Sequence, residues 1–445
     1  MARFATARVK STAPDTLNLA GGEAHSMSPK LEFASALLTT FTTDAFYKSG
    51  GDQVSRISAL AKTLDDPLFA AKAAIFTRRM NGLRSVSHIV AGELALRPDA
   101  KGTPWLRKFY RKIVVRPDDI TETLAYLKAK NPKLRSLSNA LKRGFGEALS
   151  GFDAYQLAKY LRADKDPNLI DAVNLLHPRS TEALTALMTG TLKPADTWET
   201  RLTQAGQKAK VEGLSDEQKA ELKGQAWADL IGARKLGYFA LLRNLRNIAD
   251  EAPEAMTAAL AFLADPRQVE RSMVLPFQFL TAAEAIEGSK ADTSAVKKSL
   301  NAAMELSLKN VPVFEGSTLI AVDNSGSMGG RPQKIASLFA AVLFKAQKDA
   351  DVLVFSDSAA YLSLNPGDSI QTLAGKVAKG CRPAGTNFHS VFQTARRAYQ
   401  RIVILSDRRL PADQAPIPAL LAVSAVNQHL VRQAIRTRSS LLAET

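Results

Sequence analysis

The stretch "STLIAVDNSGSMGG", residues 317–330, sets an apolar, β-branched run directly before an Asp, two serines and a pair of glycines. A short apolar run closed by turn residues reads as a buried strand. Two further runs of the same kind follow, "ADVLVFS" and "RIVILSD", separated by the helical patterns "KIASLFAAVLFKAQK" and "NFHSVFQTARRAYQ". Strand and helix in alternation imply a parallel sheet flanked by helices, a Rossmann-type α/β domain. Upstream, from about residue 28 to 308, the pattern changes. Segments such as "QVSRISALAKTLDDPLFAAKAAIFTRRM" and "PEAMTAALAFLADPRQVERSM" carry apolar residues three and four apart, the spacing of amphipathic helices. Gly, Pro and Asp interrupt them at "KSGGDQ", "LRPDAKGTP", "DKDPN", "LHPRS" and "LKPAD", where the chain can turn. Successive helix pairs without a strict period allow an irregular helical solenoid among other all-α folds. The chain is therefore read as a mostly α domain over 1–312 and an α/β domain over 313–445.

The 445 residues carry 59 Lys and Arg against 43 Asp and Glu, a formal charge of +16. Such a field attracts nucleic acid, an anionic surface or an acidic protein. The opening "MARFATARVKSTAPDTLNLAGG" has no apolar core of the kind a secretory signal needs, so no export is expected. No run of about 20 apolar residues is present to span a bilayer. The single Cys381 forms neither an internal disulfide nor a Cys-rich zinc site and suits a reducing compartment. A cytoplasmic protein without a membrane partner is expected.

At the end of the first strand, Asp323, Ser325 and Ser327 alternate along the loop, so a bend turns one carboxylate and two hydroxyls toward a common point. Thr386 in "PAGTNF" offers a third hydroxyl and Asp407 in "VILSD" a second carboxylate, direct or through water. Oxygen donors of this kind suit Mg²⁺, with Mn²⁺ as the alternative, better than zinc or copper. These five residues resemble the metal-ion-dependent adhesion site of a von Willebrand factor A domain, whose DxSxS strand end stands here as "DNSGS". The resemblance implies a binding device in which the cation keeps one position open for an acidic group of a partner. It does not imply an enzyme, and His389 and His429 adjoin no candidate nucleophile. The sequence departs from the family after Asp407. Only 38 residues remain there, with weak strand signals and no aromatic side chain, so this end of the domain is short or divergent.

The helical region concentrates positive charge. "KGTPWLRKFYRKIVVR" holds Arg107, Lys108, Arg111 and Lys112 one helical turn apart in pairs, with no acid. Its Trp105, Phe109 and Tyr110 either anchor the helix in the core or stack on bases. Arg78, Arg79 and Arg84 form a second cluster near His88, and Lys142 with Arg143 a third. Three clusters on successive hairpins favour a shared basic surface for phosphates.

"LSNALKRGFGEALSGFDAYQLAKY", "LIDAVNLLHPRS", "WETRLTQAG", "LGYFALLRNLRNI" and "LPFQFLTA" are similar, in that order, to the landmarks of the Ro ribonucleoprotein family, the TROVE module. A helical TROVE module followed by an A domain is that family's architecture. The resemblance implies a ring of HEAT-like helical repeats closed by a von Willebrand factor A-like domain. It implies a noncatalytic RNA chaperone that binds small structured noncoding RNAs outside and single-stranded ends of misfolded RNAs in a basic hole, with exoribonuclease partners in RNA turnover. No DNA partner is expected. Carried over by position, Lys159, Arg162 and His177 become outer-surface RNA contacts, although His177 equally suits the cap of a turn before Pro178. Lys142 and Arg143 fit either the hole or the rim, and Arg243 and Arg246 are free to pair with acids inside the ring. A rival reading makes the chain a protein-interaction adaptor that works through the A domain, with the helices as scaffold.

Overall fold

The structure, a computed structural model, describes residues 15–17, 23–24, 26–39, 50–132, 136–289, 293–380 and 385–406. The described residues up to Asp196 form one compact unit and those from Thr197 a second.

In the first unit a two-residue ladder joins β1 (Thr16–Leu17) and β2 (Glu23–Ala24), and ten helices follow. They are α1 (Pro29–Thr39), α2 (Gly50–Thr63), α3 (Pro67–Met80), α4 (Ser85–Leu96), α5 (Pro104–Ile113), α6 (Pro117–Lys130), α7 (Asn139–Leu149), α8 (Ala154–Tyr160), α9 (Leu169–Leu176) and α10 (Glu182–Met188). The turn signals at 97–103, 164–168, 177–180 and 192–196 fall between α-helices, whereas residues 50–53 of the "KSGGDQ" signal form the first turn of α2 and do not break the chain there. One further break, within the run that begins at Gln53, comes from Asp66 and Pro67. Asp66 accepts the Phe69 N–H at 2.9 Å while Pro67 occupies the first turn, where its missing N–H is harmless. One apolar cluster from Phe33 to Leu187 fills the unit.

The second unit opens with α11 (Trp198–Val211), α12 (Asp216–Gly232), α13 (Tyr238–Glu251), α14 (Met256–Leu263), α15 (Pro266–Ser272), α16 (Pro276–Ile286) and α17 (Ser294–Leu306). The α/β segment follows in the order β3 (Thr318–Asp323), α18 (Arg331–Ala346), β4 (Ala350–Phe355), β5 (Ala359–Tyr361), α19 (Ile370–Lys379), α20 (His389–Thr394) and β6 (Arg401–Leu405). The sheet order is β5-β4-β3-β6. The three expected strands run parallel, but β5 is an antiparallel edge on β4, so the sheet is mixed and not purely parallel. The "SDSAAY" turn returns the chain too quickly for a helical crossover, which forces the antiparallel pairing.

Along β3 the side chains alternate. Ile320 and Val322 join the cluster with Ala336, Ala340 and Val377, whereas Leu319 and Ala321 join Phe388 and Val391. The α/β segment also shares a core with the helices before it, because Leu338, Ala341, Ile370 and Leu373 pack with Leu245, Phe279 and Leu300. Glu305 on α17 fixes that junction, accepting the Ile370 N–H at 2.5 Å and pairing with Lys345 at 3.0 Å.

Candidate nucleic-acid interface and cation site

Close packing of α5, α7 and the α9–α10 turn creates a cleft. Gly144 makes the first contact possible: a Cβ there would lie 2.5 Å from the Arg107 carbonyl oxygen and 2.6 Å from Tyr110 Cβ. Only hydrogen at that position lets the two backbones meet. Tyr110 itself is fully buried, edge-on to Phe145 at 5.1 Å, with its hydroxyl donating to the Ala91 carbonyl at 3.1 Å. Burial holds its phenol well above the usual range. Phe109 is buried too, so both aromatic rings anchor α5 instead of facing a ligand. Two residues past Gly144, Gly146 lies against Pro178, and Ser150 Oγ donates to the Arg179 carbonyl at 2.8 Å. These contacts bring the turn after α9 onto α7.

The resulting cleft has a volume of about 420 Å³ and is lined by Arg111, Lys142, Arg143, His177, Arg179 and Ser150 among others. Among the described residues Arg111, Lys142 and Arg143 have no carboxylate partner. Glu147, the acid in the lining, is taken by Arg107 from outside it. Four of these side chains stand out in the sequence on three separate segments, and the fold collects them. Sequence reasoning misses Arg179 and Ser150, although Arg179 stands in the same "HPRS" turn as His177. His177 has both of its considered roles in reach. At φ 49° it ends α9 in the left-handed region, its N–H donating to the Val173 carbonyl at 3.0 Å, and its exposed ring faces the cleft.

The remaining basic candidates lie elsewhere. Arg78, Arg79 and Arg84 do not form the expected surface. Arg78 is buried and grips both carboxylate oxygens of Asp119, with its closest contact at 2.8 Å. Arg79 donates to the Lys112 carbonyl at 2.6 Å and Arg84 to Asp118 at 2.6 Å. Together they clamp the α5–α6 connection. Burial would raise the Asp119 carboxyl, but hydrogen bonds from His88, Arg78 and the Val115 N–H outweigh it and hold the group far below the ordinary carboxylate range. Arg162 pairs with Asp164 at 3.1 Å on the surface, and the Lys159 ammonium lies 5.8 Å from the Tyr155 ring centre. Lys108 and Lys112 sit on α5 outside the cleft lining.

In the α/β segment the loop after β3 is organised around Asp323, which is almost fully buried. Its Oδ1 accepts the Ser325 N–H at 2.9 Å, its Oδ2 the Ser406 hydroxyl at 2.5 Å, and Ser325 Oγ lies 3.2 Å from Ser327 Oγ. Among the described residues no Lys or Arg pairs with this carboxylate. Among the described residues Asn324 Oδ1 beside it is also buried without a hydrogen-bond partner. A buried carboxylate with neutral donors only, two converging hydroxyls and an orphaned amide oxygen fit a hard cation. Thr386 is exposed on the neighbouring loop, which docks through the Asn387 N–H on the Ser356 carbonyl at 2.7 Å, next to the end of β4. Asp407 lies outside the described residues.

A family profile for the TROVE domain matches residues 35–185 and 189–317, and the chain belongs to that family. Its architecture is that of a Ro protein: the crystal structure of the Deinococcus radiodurans Ro (RSR) protein superposes with a TM-score of 0.59 at 17% identity, covering 90% of this chain and 99% of that one. Telomerase protein component 1 of Mus musculus is 25% identical over 305 residues, 52% of this chain and 11% of that protein. A second profile, the glutamate synthase central domain, matches residues 370–445. The glutamate synthase [NADPH] large chain of Bacillus subtilis (strain 168) is 48% identical over 44 residues, 10% of this chain and 3% of that protein. The chain thus spans 11% or less of the length of these curated relatives. The glutamate synthase match includes the segment after Asp407 in which the sequence departs from an A domain.

Proposed function

We propose that this TROVE-family chain is a noncatalytic, cytoplasmic RNA-binding protein of the Ro type. It holds small structured noncoding RNAs and single-stranded ends of misfolded RNAs, and acts in RNA quality control or turnover. The observation that carries the reading is the cleft: three cations without carboxylate partners among the described residues, Arg111, Lys142 and Arg143, converge with His177 and Ser150 on about 420 Å³ of open space. RNA helices present phosphates and 2′-hydroxyls, and the cleft offers guanidinium, ammonium, imidazole and hydroxyl groups to match. A chain charge of +16 favours the same class of ligand at longer range.

In the α/β segment, read as a von Willebrand factor A-like domain, Asp323, Ser325 and Ser327 would hold Mg²⁺ or Mn²⁺ with Thr386 and Asp407. When bound, the cation supplies a coordination position for an acidic group of a protein partner, such as an exoribonuclease. Here Ser406 positions the Asp323 carboxylate, and β3 presents it at the carboxyl end of the sheet.

The RNA reading is tested by the affinity of the full chain for a structured small RNA with and without a 3′ tail, across a salt series. Lys142→Ala/Arg143→Ala is expected to weaken binding and to lower the salt slope by about one for each phosphate that the variant no longer neutralises. Weak binding that neither salt nor the double substitution alters would refute it.

A further inference from the structure

Helix α13 buries Leu241, Leu242, Leu245, Ile248 and Ala249 in the core of the second unit. Its opposite face carries Phe239, Arg243 and Arg246, spaced four and three residues apart and all exposed. Phe239 is 44% exposed, and the Arg243 guanidinium lies 5.8 Å from the centre of its ring. Among the described residues neither arginine has a carboxylate partner. The next acid along the face, Asp250, accepts the Ser289 hydroxyl at 2.6 Å. Nearby, Gly288 packs beside the Arg246 guanidinium, where a Cβ would make only an ordinary contact at 3.6 Å with Nη1.

Two like charges three residues apart on a helix repel each other, and 44% of the Phe239 surface stays in contact with water. Both features suit one ligand. A flat ring edged by a guanidinium is a platform for an unpaired base, and the second arginine lies one helical turn further along, where a flanking phosphate would follow. A duplex keeps its bases stacked on one another and offers none to the ring, so the partner is single-stranded. We propose that the Phe239–Arg243–Arg246 face of α13 binds single-stranded RNA, with a base stacked on Phe239 and Arg243 and the flanking phosphates held by Arg243 and Arg246. The inference rests on the reading of the chain as RNA-binding but uses a surface separate from the cleft.

The test uses the full chain with two probes: an unstructured RNA oligonucleotide containing 2-aminopurine, and a blunt RNA hairpin. Wild-type protein is expected to bind the oligonucleotide and change the 2-aminopurine emission through stacking. Phe239→Ala removes that change and weakens oligonucleotide binding roughly tenfold, while Phe239→Tyr keeps both. Arg243→Ala/Arg246→Ala lowers the log–log salt slope for the oligonucleotide by about 1.4, at 0.7 per phosphate. Hairpin affinity stays at the wild-type value in all three variants. The inference is overturned if the wild type leaves the oligonucleotide unbound, or if Phe239→Ala, with an unchanged melting temperature, binds it and alters its emission as the wild type does. It is also overturned if an acidic peptide displaces the oligonucleotide and Phe239→Ala leaves both affinities unchanged. If oligonucleotide binding follows Phe239 but the hairpin ignores Lys142→Ala/Arg143→Ala, the cleft reading fails and this one stands.

Discussion

Arg78 and Asp119 face each other inside the first unit through four N–H···O contacts of 2.8 to 3.2 Å, both almost wholly removed from water. Asp119 also accepts the N–H groups of Val115 and Arg116, each at 2.9 Å, and His88 Nε2 lies 2.9 Å away. The pair therefore ties α3 to the start of α6 and fixes the path of the connection from α5. Because α5 carries Arg111 into the cleft, this buried network positions the interface without touching a ligand.

Removing one partner strands the other in a dry interior. Arg78→Ala or Asp119→Ala is expected to lower stability by about 3–5 kcal/mol, read as a shift of the urea unfolding curve. A surface phosphate contact would cost far less.

Acid should expose the same pair. The Asp119 carboxyl titrates well below its unfolded value in the folded protein, so its contribution is fully present above about pH 4 and fades as the pH falls further. Stability measured between about pH 5 and 2 should drop more steeply in wild type than in Asp119→Asn, which has no carboxylate to protonate. Equal slopes would show that other carboxylates dominate acid unfolding.

Gly144 gives a sharper test of how the cleft is built. An alanine Cβ would meet the Arg107 carbonyl oxygen at 2.5 Å, and a backbone atom cannot swing aside. Gly144→Ala is expected to destabilise the first unit by about 1–3 kcal/mol as α5 and α7 separate. It should weaken structured-RNA binding although every cation is intact. Wild-type affinity in a folded Gly144→Ala protein would mean that the cleft geometry does not matter.

His177 joins a backbone role to a side-chain role, and glycine separates them. At φ 49° glycine is as comfortable as any residue, so His177→Gly should fold with stability within about 1 kcal/mol of wild type. RNA affinity should nonetheless fall, because the imidazole is gone. Unchanged affinity in His177→Gly would assign the residue to the turn alone.

Much of this was legible in the sequence. Periodicity located the helices and the three parallel strands because burial imposes repeats of 3.6 and 2 on composition. Arg78 was misleading for a physical reason: its partner Asp119 lies 41 residues away, and a buried ion pair looks like surface charge until the fold joins its halves. Arg179 stayed hidden because its place in the cleft depends on the docking of Pro178 against Gly146, a contact that no local pattern encodes. In contrast, the convergence of Asp323, Ser325 and Ser327 was readable, since their spacing is set within five residues of one strand end.

That loop also frames the last prediction. Among the described residues Asp323 receives neutral donors only and Asn324 Oδ1 is left without one, so the site should gain from a cation that it can hold through oxygen. Electron paramagnetic resonance of added Mn²⁺ is expected to show bound metal in wild type, none in Asp323→Ala, and weaker binding in Ser325→Ala and Thr386→Ala. Asp407 needs separate treatment because residues 370–445 match a glutamate synthase domain, so an aspartate at that point has a second family to answer to. If Asp407→Asn weakens Mn²⁺ binding as Thr386→Ala does, the segment after β6 completes the cation site despite that likeness. If Mn²⁺ binds equally well in Asp407→Asn, the ligands end with the β3 loop and Thr386. Chelation by EDTA should leave RNA affinity unchanged in either case, since the cleft cations lie in the first unit and β3 in the second.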